Sequence, residues 1–409
     1  MKTQRHAGSA ILIALFCALA AAPAASPPLP AGGAGAVRIP VAVRVVEGGS
    51  FVGDLGLKDF ELDESGMASS PSALFLIRKG RVEREEGTSG LTVDLSRKLH
   101  LVFQLNDYPA KIAEAMDYFF RQGLLPGDSL EIQTPVRNYG LSAENLAAKP
   151  RAVLAQDLTK IIRRDVVQGA MAYNSLLREL KTLVRLIGGT PRGLSDTEGE
   201  ADSNIGLELM LLHYREDLEQ AQRLRVLNED TLVAFAAQLR QEPGQKFVFH
   251  FYQREFRPEI SPNVLDTLVM DNQDKPGVLA EVQTLFQMYH HSITMNRERL
   301  RRAFADSAAN LNFLFINKPP DQAPGINMRE QSEDIFQALS TAAEATGGTV
   351  QTSQDPLPSI QAAVAAADSY YLLYFTPSAA GPPGTFLDLD VRLRGRGGKV
   401  LHPLGYFTR

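Results

Sequence analysis

Four short stretches of this chain, residues 99–105, 246–252, 311–316 and 370–375, are apolar at nearly every position rather than at every second one. A strand that shows one face to water alternates apolar with polar residues, so a continuous run demands cover on both faces. Strands of that kind belong to the parallel sheets of α/β proteins, where helices lie over each face. Helical patterns separate the runs. Ile112, Ala115, Met116, Phe119 and Phe120 recur at helical spacing until Gly123 and Pro126-Gly127 stop them, and a strand follows from Ser129. Residues 328–345 read as a helix ended by Gly347-Gly348, and residues 359–367 as another leading into the last run. The expected fold class is therefore α/β, a three-layer sandwich on a mainly parallel sheet.

The chain opens with Lys2 and Arg5, an apolar run over residues 10–22, and the small residues Ala22-Pro23-Ala24. This is the order of a secretory signal, read here as residues 1–25, and the run is too short to span a bilayer comfortably. Residues 26–36, rich in Pro, Gly and Ala, read as a flexible leader. The single cysteine, Cys17, lies in the signal core behind Phe16, a residue too large for a lipoprotein cleavage site. Its removal leaves no disulfide, so stability must come from the core. Loss of Lys2 and Arg5 takes the formal charge from −5 to −7, which disfavours nucleic acid as a partner. The expected location is periplasmic or secreted, with no stable membrane insertion after cleavage.

Both ends of the mature chain read as β structure. Val37, Ile39, Val41, Val43 and Val45 alternate with other residues before Gly48-Gly49, which opens an amino-terminal β module over residues 37–95. Leu387, Leu389, Val391 and Leu393 alternate with charged residues, and Gly395-Arg396-Gly397-Gly398 turns the chain back into Val400 and Leu401. Residues 379–409 are thus expected as an antiparallel hairpin with one wet face, packed on the amino-terminal module. Between them, residues 151–242 carry two apolar stripes, one through Leu158, Ile162, Leu176 and Leu180, the other through Leu211, Leu218, Leu232 and Leu239. They read as long helices joined by a polar linker, forming either a layer over the sheet or a hairpin offered to a partner.

The order of Leu99-His100-Leu101-Val102-Phe103-Gln104-Leu105-Asn106-Asp107-Tyr108, an amphipathic helix, and Leu125-Pro126-Gly127-Asp128-Ser129-Leu130-Glu131-Ile132 resembles a von Willebrand factor type A (VWFA) domain. The phrases Leu57-Lys58-Asp59-Phe60 and Leu404-Gly405-Tyr406-Phe407 are similar to the two ends of exported VWFA-related proteins of acidobacterial type. The resemblance implies a VWFA-like domain over residues 98–378 with the helical segment as an insert. It also implies an Asp-x-Ser-x-Ser cation site at the first strand end, where this chain has Gln104-x-Asn106-x-Tyr108. After the central strand the chain reads Gln253-Arg254-Glu255, which puts positive charge where a cation would sit.

Hard cations need a cage of oxygens that two amides and a phenol do not supply, so the metal site is read as lost. No metal, cofactor or catalytic residue is expected. Asn106, Asp107, Tyr108, Gln253, Arg254 and Glu255 are instead the candidate loops of an exported, non-enzymatic protein-binding domain, its partner another envelope or extracellular protein. Two rival readings stand beside it: an exported enzyme built on Asp107, Glu255 and a histidine, and a scaffold that presents the helical hairpin.

Other signals have plainer readings. Asp63 and Glu64 lack the spacing of a calcium loop. His290 and His291, adjacent on a helix, cannot face one ion. His100 and His250 sit inside apolar strands and read as buried, singly hydrogen-bonded histidines. There is no Gly-x-Ser-x-Gly, and neither glycine cluster, at 32–35 or 188–189, completes a nucleotide-binding pattern. Asp274-Lys275-Pro276-Gly277-Val278-Leu279-Ala280 resembles the opening of an ACT module but is ordinary helix-start chemistry. Arg297, Arg299, Arg301 and Arg302 read as a solvated helical face.

Overall fold

The apolar runs at 99–105, 246–252 and 311–316 become adjacent parallel strands. β7 (Arg97–Gln104), β8 (Ser129–Gln133), β10 (Gln245–Gln253), β12 (Ala309–Ile316) and β14 (Val350–Ser353) lie side by side in the order β14-β12-β10-β7-β8, and β9 (Asn138–Leu141) closes the edge antiparallel to β8. Phe249 is paired with Leu101 on one side and Asn312 on the other. The structure is a computed structural model that describes residues 38–88, 90–189, 200–224, 227–290, 295–322, 326–377 and 382–408. The expected signal and leader, most of the polar linker, and His291 lie outside the described residues.

Each side of this mixed sheet has its own core. Val102, Val248, Tyr252, Phe313 and Phe315 pack with α5 (Glu229–Gln241), α8 (Arg297–Ala305) and α9 (Glu333–Ala345). On the other side Leu101, Phe103, Phe249, Phe251 and Leu314 pack with α1 (Ala110–Tyr118), the first half of α3 (Arg151–Gly188), and α10 (Pro356–Asp368), while the short α2 (Ala143–Ala147) adds Leu146.

The fourth apolar run does not join the parallel strands, and this overturns the expected fold class. β15 (Ser369–Phe375) runs antiparallel between β1 (Ile39–Glu47) and β5 (Ala73–Arg78), in a sheet completed by β2 (Ser50–Phe51), β6 (Arg81–Gly87) and β17 (Lys399–Leu401). Two further sheets are also antiparallel: β3 (Phe60–Glu64), β4 (Met67–Ser69), β16 (Phe386–Leu393) and β18 (Gly405–Phe407) form one, and β11 (Phe256–Ile260) with β13 (Ile326–Glu330) the other. The fold is mixed α/β with antiparallel sheets, and no parallel three-layer sandwich dominates it.

The reason is that β15 and β5 are buried between two cores. Tyr370, Leu372, Phe75 and Ile77 face the core under α1 and α10, while Tyr371, Leu373, Leu74 and Leu76 face a second core with Val41, Val43, Phe60, Leu389 and Val391. A central antiparallel strand covered on both sides reads as apolar throughout, as a parallel one does. The terminal strands do pair, β1 with β17 and β3 with β16, but β1 also pairs β15, so they form no separate module. The expected hairpin is likewise replaced: β16 lies between β3 and β18, and β17 pairs with β1.

The helical segment contains three helices, α3, α4 (Glu200–Arg223) and α5. α3 has 38 residues, and its second half leaves the sheet. Tyr173, Leu180, Val184 and Ile187 pack with Leu211 and Leu218 of α4 and with Leu265, Leu268, Val282 and Leu285 of α6 (Pro262–Asp271) and α7 (Pro276–His290), a mainly helical core that Ile260 of β11 also enters. α3 is tied to the sheet by Asp165, which is buried and accepts hydrogen bonds from Thr134 (3.1 Å) and Tyr139 (2.5 Å).

The chain after α9 passes hard against β12. A Cβ on Gly348 would overlap the Leu311 carbonyl, a backbone group that cannot rotate away. Gly348→Ala is expected to cost about 3 kcal/mol, read as a lower urea midpoint with an unchanged slope. An unchanged midpoint would mean that the two strands have slack between them.

Candidate functional site

β7 and β10 end side by side, which places residues 104–108 and 253–255 at the carboxyl edge of the sheet, where ligands of α/β proteins bind. The six candidate loop residues divide there. Asn106 lies at the centre of a network: its backbone N–H donates to Gln253 Oε1 (3.1 Å), its Nδ2 to Glu255 Oε1 (3.0 Å), and its carbonyl accepts from Asn174 Nδ2 (2.8 Å). Gln253 and Glu255 are buried. Glu255 is held further by its backbone, which donates to Ser332 Oγ and accepts from the Gln331 N–H.

Tyr108 turns away from this network into the core under α1, where burial pushes its phenol pKa up and its hydroxyl meets no hydrogen-bond partner among the described residues. Asp107 points outward, 3.7 Å from Lys318 Nζ, while its other oxygen accepts from the Tyr108 N–H. Arg254 stacks on Phe315 and pairs with Glu330 at 3.1 Å. Gln104 accepts from His250 Nε2 (2.7 Å) on the α5 side of the sheet, away from the loops. Asp107 and Glu255 thus have different partners, one exposed and one buried, and His250 is occupied by Gln104.

α3 supplies the residues that the sequence reading missed. Tyr173 bonds Gln331, Asn174 bonds Asn106, and Lys181 pairs with Asp321. The helix therefore lies across the strand ends. What remains among Asn106, Asn174, Lys181, Glu255, Lys318 and Asp321 is a cavity of roughly 50 Å³. One water takes about 30 Å³ of liquid, and pockets for small organic ligands run from about 300 Å³. Asn174 is a polar residue outside the apolar stripe of α3, and a polar contact of this kind carries no periodic signal.

A second cluster also escaped the sequence reading. His100 on β7 is paired in register with Glu131 on β8, so both side chains stand on the same face. Glu242, at the end of α5, reaches the same place. Its Oε2 is 3.1 Å from His100 Nε2, and Glu131 Oε2 is 3.5 Å from His100 Nδ1. Burial opposes the charge on Glu242, yet hydrogen bonds from His100 and Gln238, with Lys98 nearby, hold its pKa below the usual carboxylate range. Lys246, buried and depressed in pKa by that burial, donates to the Glu242 carbonyl at 3.0 Å. Glu242 also lines a cleft of about 800 Å³ with Ala236, Arg240, Pro243, Asp306 and Phe407. His100 is buried and makes one hydrogen bond, to Glu242, as expected from its apolar strand, and a second carboxylate, Glu131, lies beside its other nitrogen.

No protein-family model, no curated protein and no solved structure matches this chain.

Proposed function

We propose that this chain is an exported binding protein that engages another envelope or extracellular protein through the carboxyl edge of its mixed sheet. The observation that carries the reading is the filled strand end: Asn106 is bonded to Gln253, Glu255 and Asn174, leaving roughly 50 Å³. An edge without room for a small substrate can still meet a surface. The rim it presents is charged and of both signs, with Asp107 and Asp321 exposed beside Lys318, Arg254 and Glu330. Charges of this kind set orientation and association rate more than final affinity.

The test is site-specific photo-crosslinking in the native envelope, with the crosslinker at position 318 or, as a control, at the exposed turn residue Lys79. A discrete product is expected from position 318 alone, and Asp107→Lys should weaken the captured complex about fivefold. The same products from both positions, or capture indifferent to Asp107→Lys, would remove the reading. Asp107 is exposed, so this variant should unfold within about 0.5 kcal/mol of the parent.

A further inference from the structure

We propose that His100, Glu131 and Glu242 form a binding site for a divalent transition metal, Zn²⁺ by its ligand chemistry, distinct from the strand-end loops. Each residue offers one ligand atom, and the three atoms lie within 4.8 Å of one another. Ligands about 2.0–2.1 Å from a tetrahedral Zn²⁺ are roughly 3.3 Å apart. Glu131 lies 3.5 Å from His100 Nδ1, close to that value, while Glu242 lies 3.1 Å from the opposite nitrogen, Nε2, and must turn to the Nδ1 side to join the same ion.

The second observation is an unmet need. His100 is 1% exposed, and its Nδ1 is buried without a hydrogen-bond partner although a carboxylate oxygen lies 3.5 Å away. The ring thus has an acceptor at Nε2, 3.1 Å away, and none in hydrogen-bonding geometry at Nδ1. A metal ion on Nδ1 would meet that need, with the Glu131 carboxylate already beside it. Both glutamates are partly exposed, at 28% and 16%, so either can swing to the side of the imidazole that takes the ion.

One imidazole with two carboxylates suits Zn²⁺ in preference to Mg²⁺ or Ca²⁺, and three protein ligands leave a fourth position for water. Lys98, 3.8 Å from Glu242 and one-third exposed, is the internal cation that the metal would displace. Bound there, the ion would link the end of α5 to β7 and β8 beside the 800 Å³ cleft that Glu242 lines.

The experiment is calorimetric titration of the untagged full chain with ZnCl₂, repeated with Co²⁺ to read coordination from its visible spectrum. One equivalent is expected to bind, with affinity at least about tenfold weaker in His100→Gln and in Glu131→Gln. Asp107→Ala, at the strand end, should bind as the parent does. Circular dichroism checks each variant, and Glu131→Gln, at a partly exposed position, carries the test if His100→Gln misfolds. No saturable binding below about 1 mM, equal affinity in the variants, or loss on Asp107→Ala alone would overturn the proposal.

Discussion

Removal of residues 379–409 is expected to leave a chain that aggregates and has no cooperative unfolding transition. The deletion takes β16, β17 and β18, hence the partners of β3 along five residue pairs and of β1 at Arg44, Val45 and Val46. It also strips Leu389 and Val391 from the core that Val41, Val43, Leu74 and Tyr371 share, and with them the buried Leu387. Fully burying such side chains is worth about 1.5–3 kcal/mol each, so three of them approach the roughly 5–15 kcal/mol by which a whole domain is stable. The bared edges of β1 and β3 then offer unpaired backbone to other chains. The damage should reach further, because Leu404 donates to the Ala345 carbonyl at the end of α9. A truncated chain that stayed monomeric with an unchanged melting temperature would show the tail to be an appendage.

The second large effect is on acid stability. His250 is buried under α5 beside Phe313, and burial pulls its imidazole from 6.5 down to about 3. The unfolded chain takes up this proton near pH 6.5 and the folded chain refuses it until about pH 3. Stability is therefore whole above pH 6.5 and drains away as the pH falls toward 3, by on the order of 4 kcal/mol from this residue. His402, also lowered by burial, adds to the loss in the same direction. Urea midpoints between pH 7 and pH 4 measure it. His250→Phe leaves Gln104 without its partner, which costs about 1 kcal/mol at neutral pH, but its midpoint should fall less steeply with acid. Superimposable slopes would show that His250 is protonated in the fold.

The candidate site was legible only in part. The spacing of two apolar runs, each ending in short polar residues, brought 104–108 and 253–255 to one sheet edge, because parallel neighbours in register end together. The direction of each side chain was not legible. Asp107 faces solvent, Glu255 is buried, and Tyr108 enters the core, since the turn into α1 at Pro109 re-aims successive residues. Asn174, which closes the edge, lies 68 residues from its partner Asn106. His100, Glu131 and Glu242 lie on two strands and a helix end, and a meeting of three distant residues leaves no mark in spacing.

The amino-acid order alone determined where the most strongly patterned strands and helices form, because burial on one face or two imposes a period on a segment; residues 328–330, read as the start of a helix, belong instead to β13. Continuous runs made strands at 97–104, 245–253, 309–316 and 369–375, and alternation made β1 and β16. Tertiary structure decided which strands became neighbours and in which direction. A strand covered on both sides has the same composition whether helices or a second sheet cover it, so nothing local in Tyr370-Tyr371-Leu372-Leu373 separates a parallel strand from the antiparallel one it forms with β1 and β5. That choice rests on long-range pairing, with Val41 opposite Leu373, and so does the capping of the sheet edge by α3.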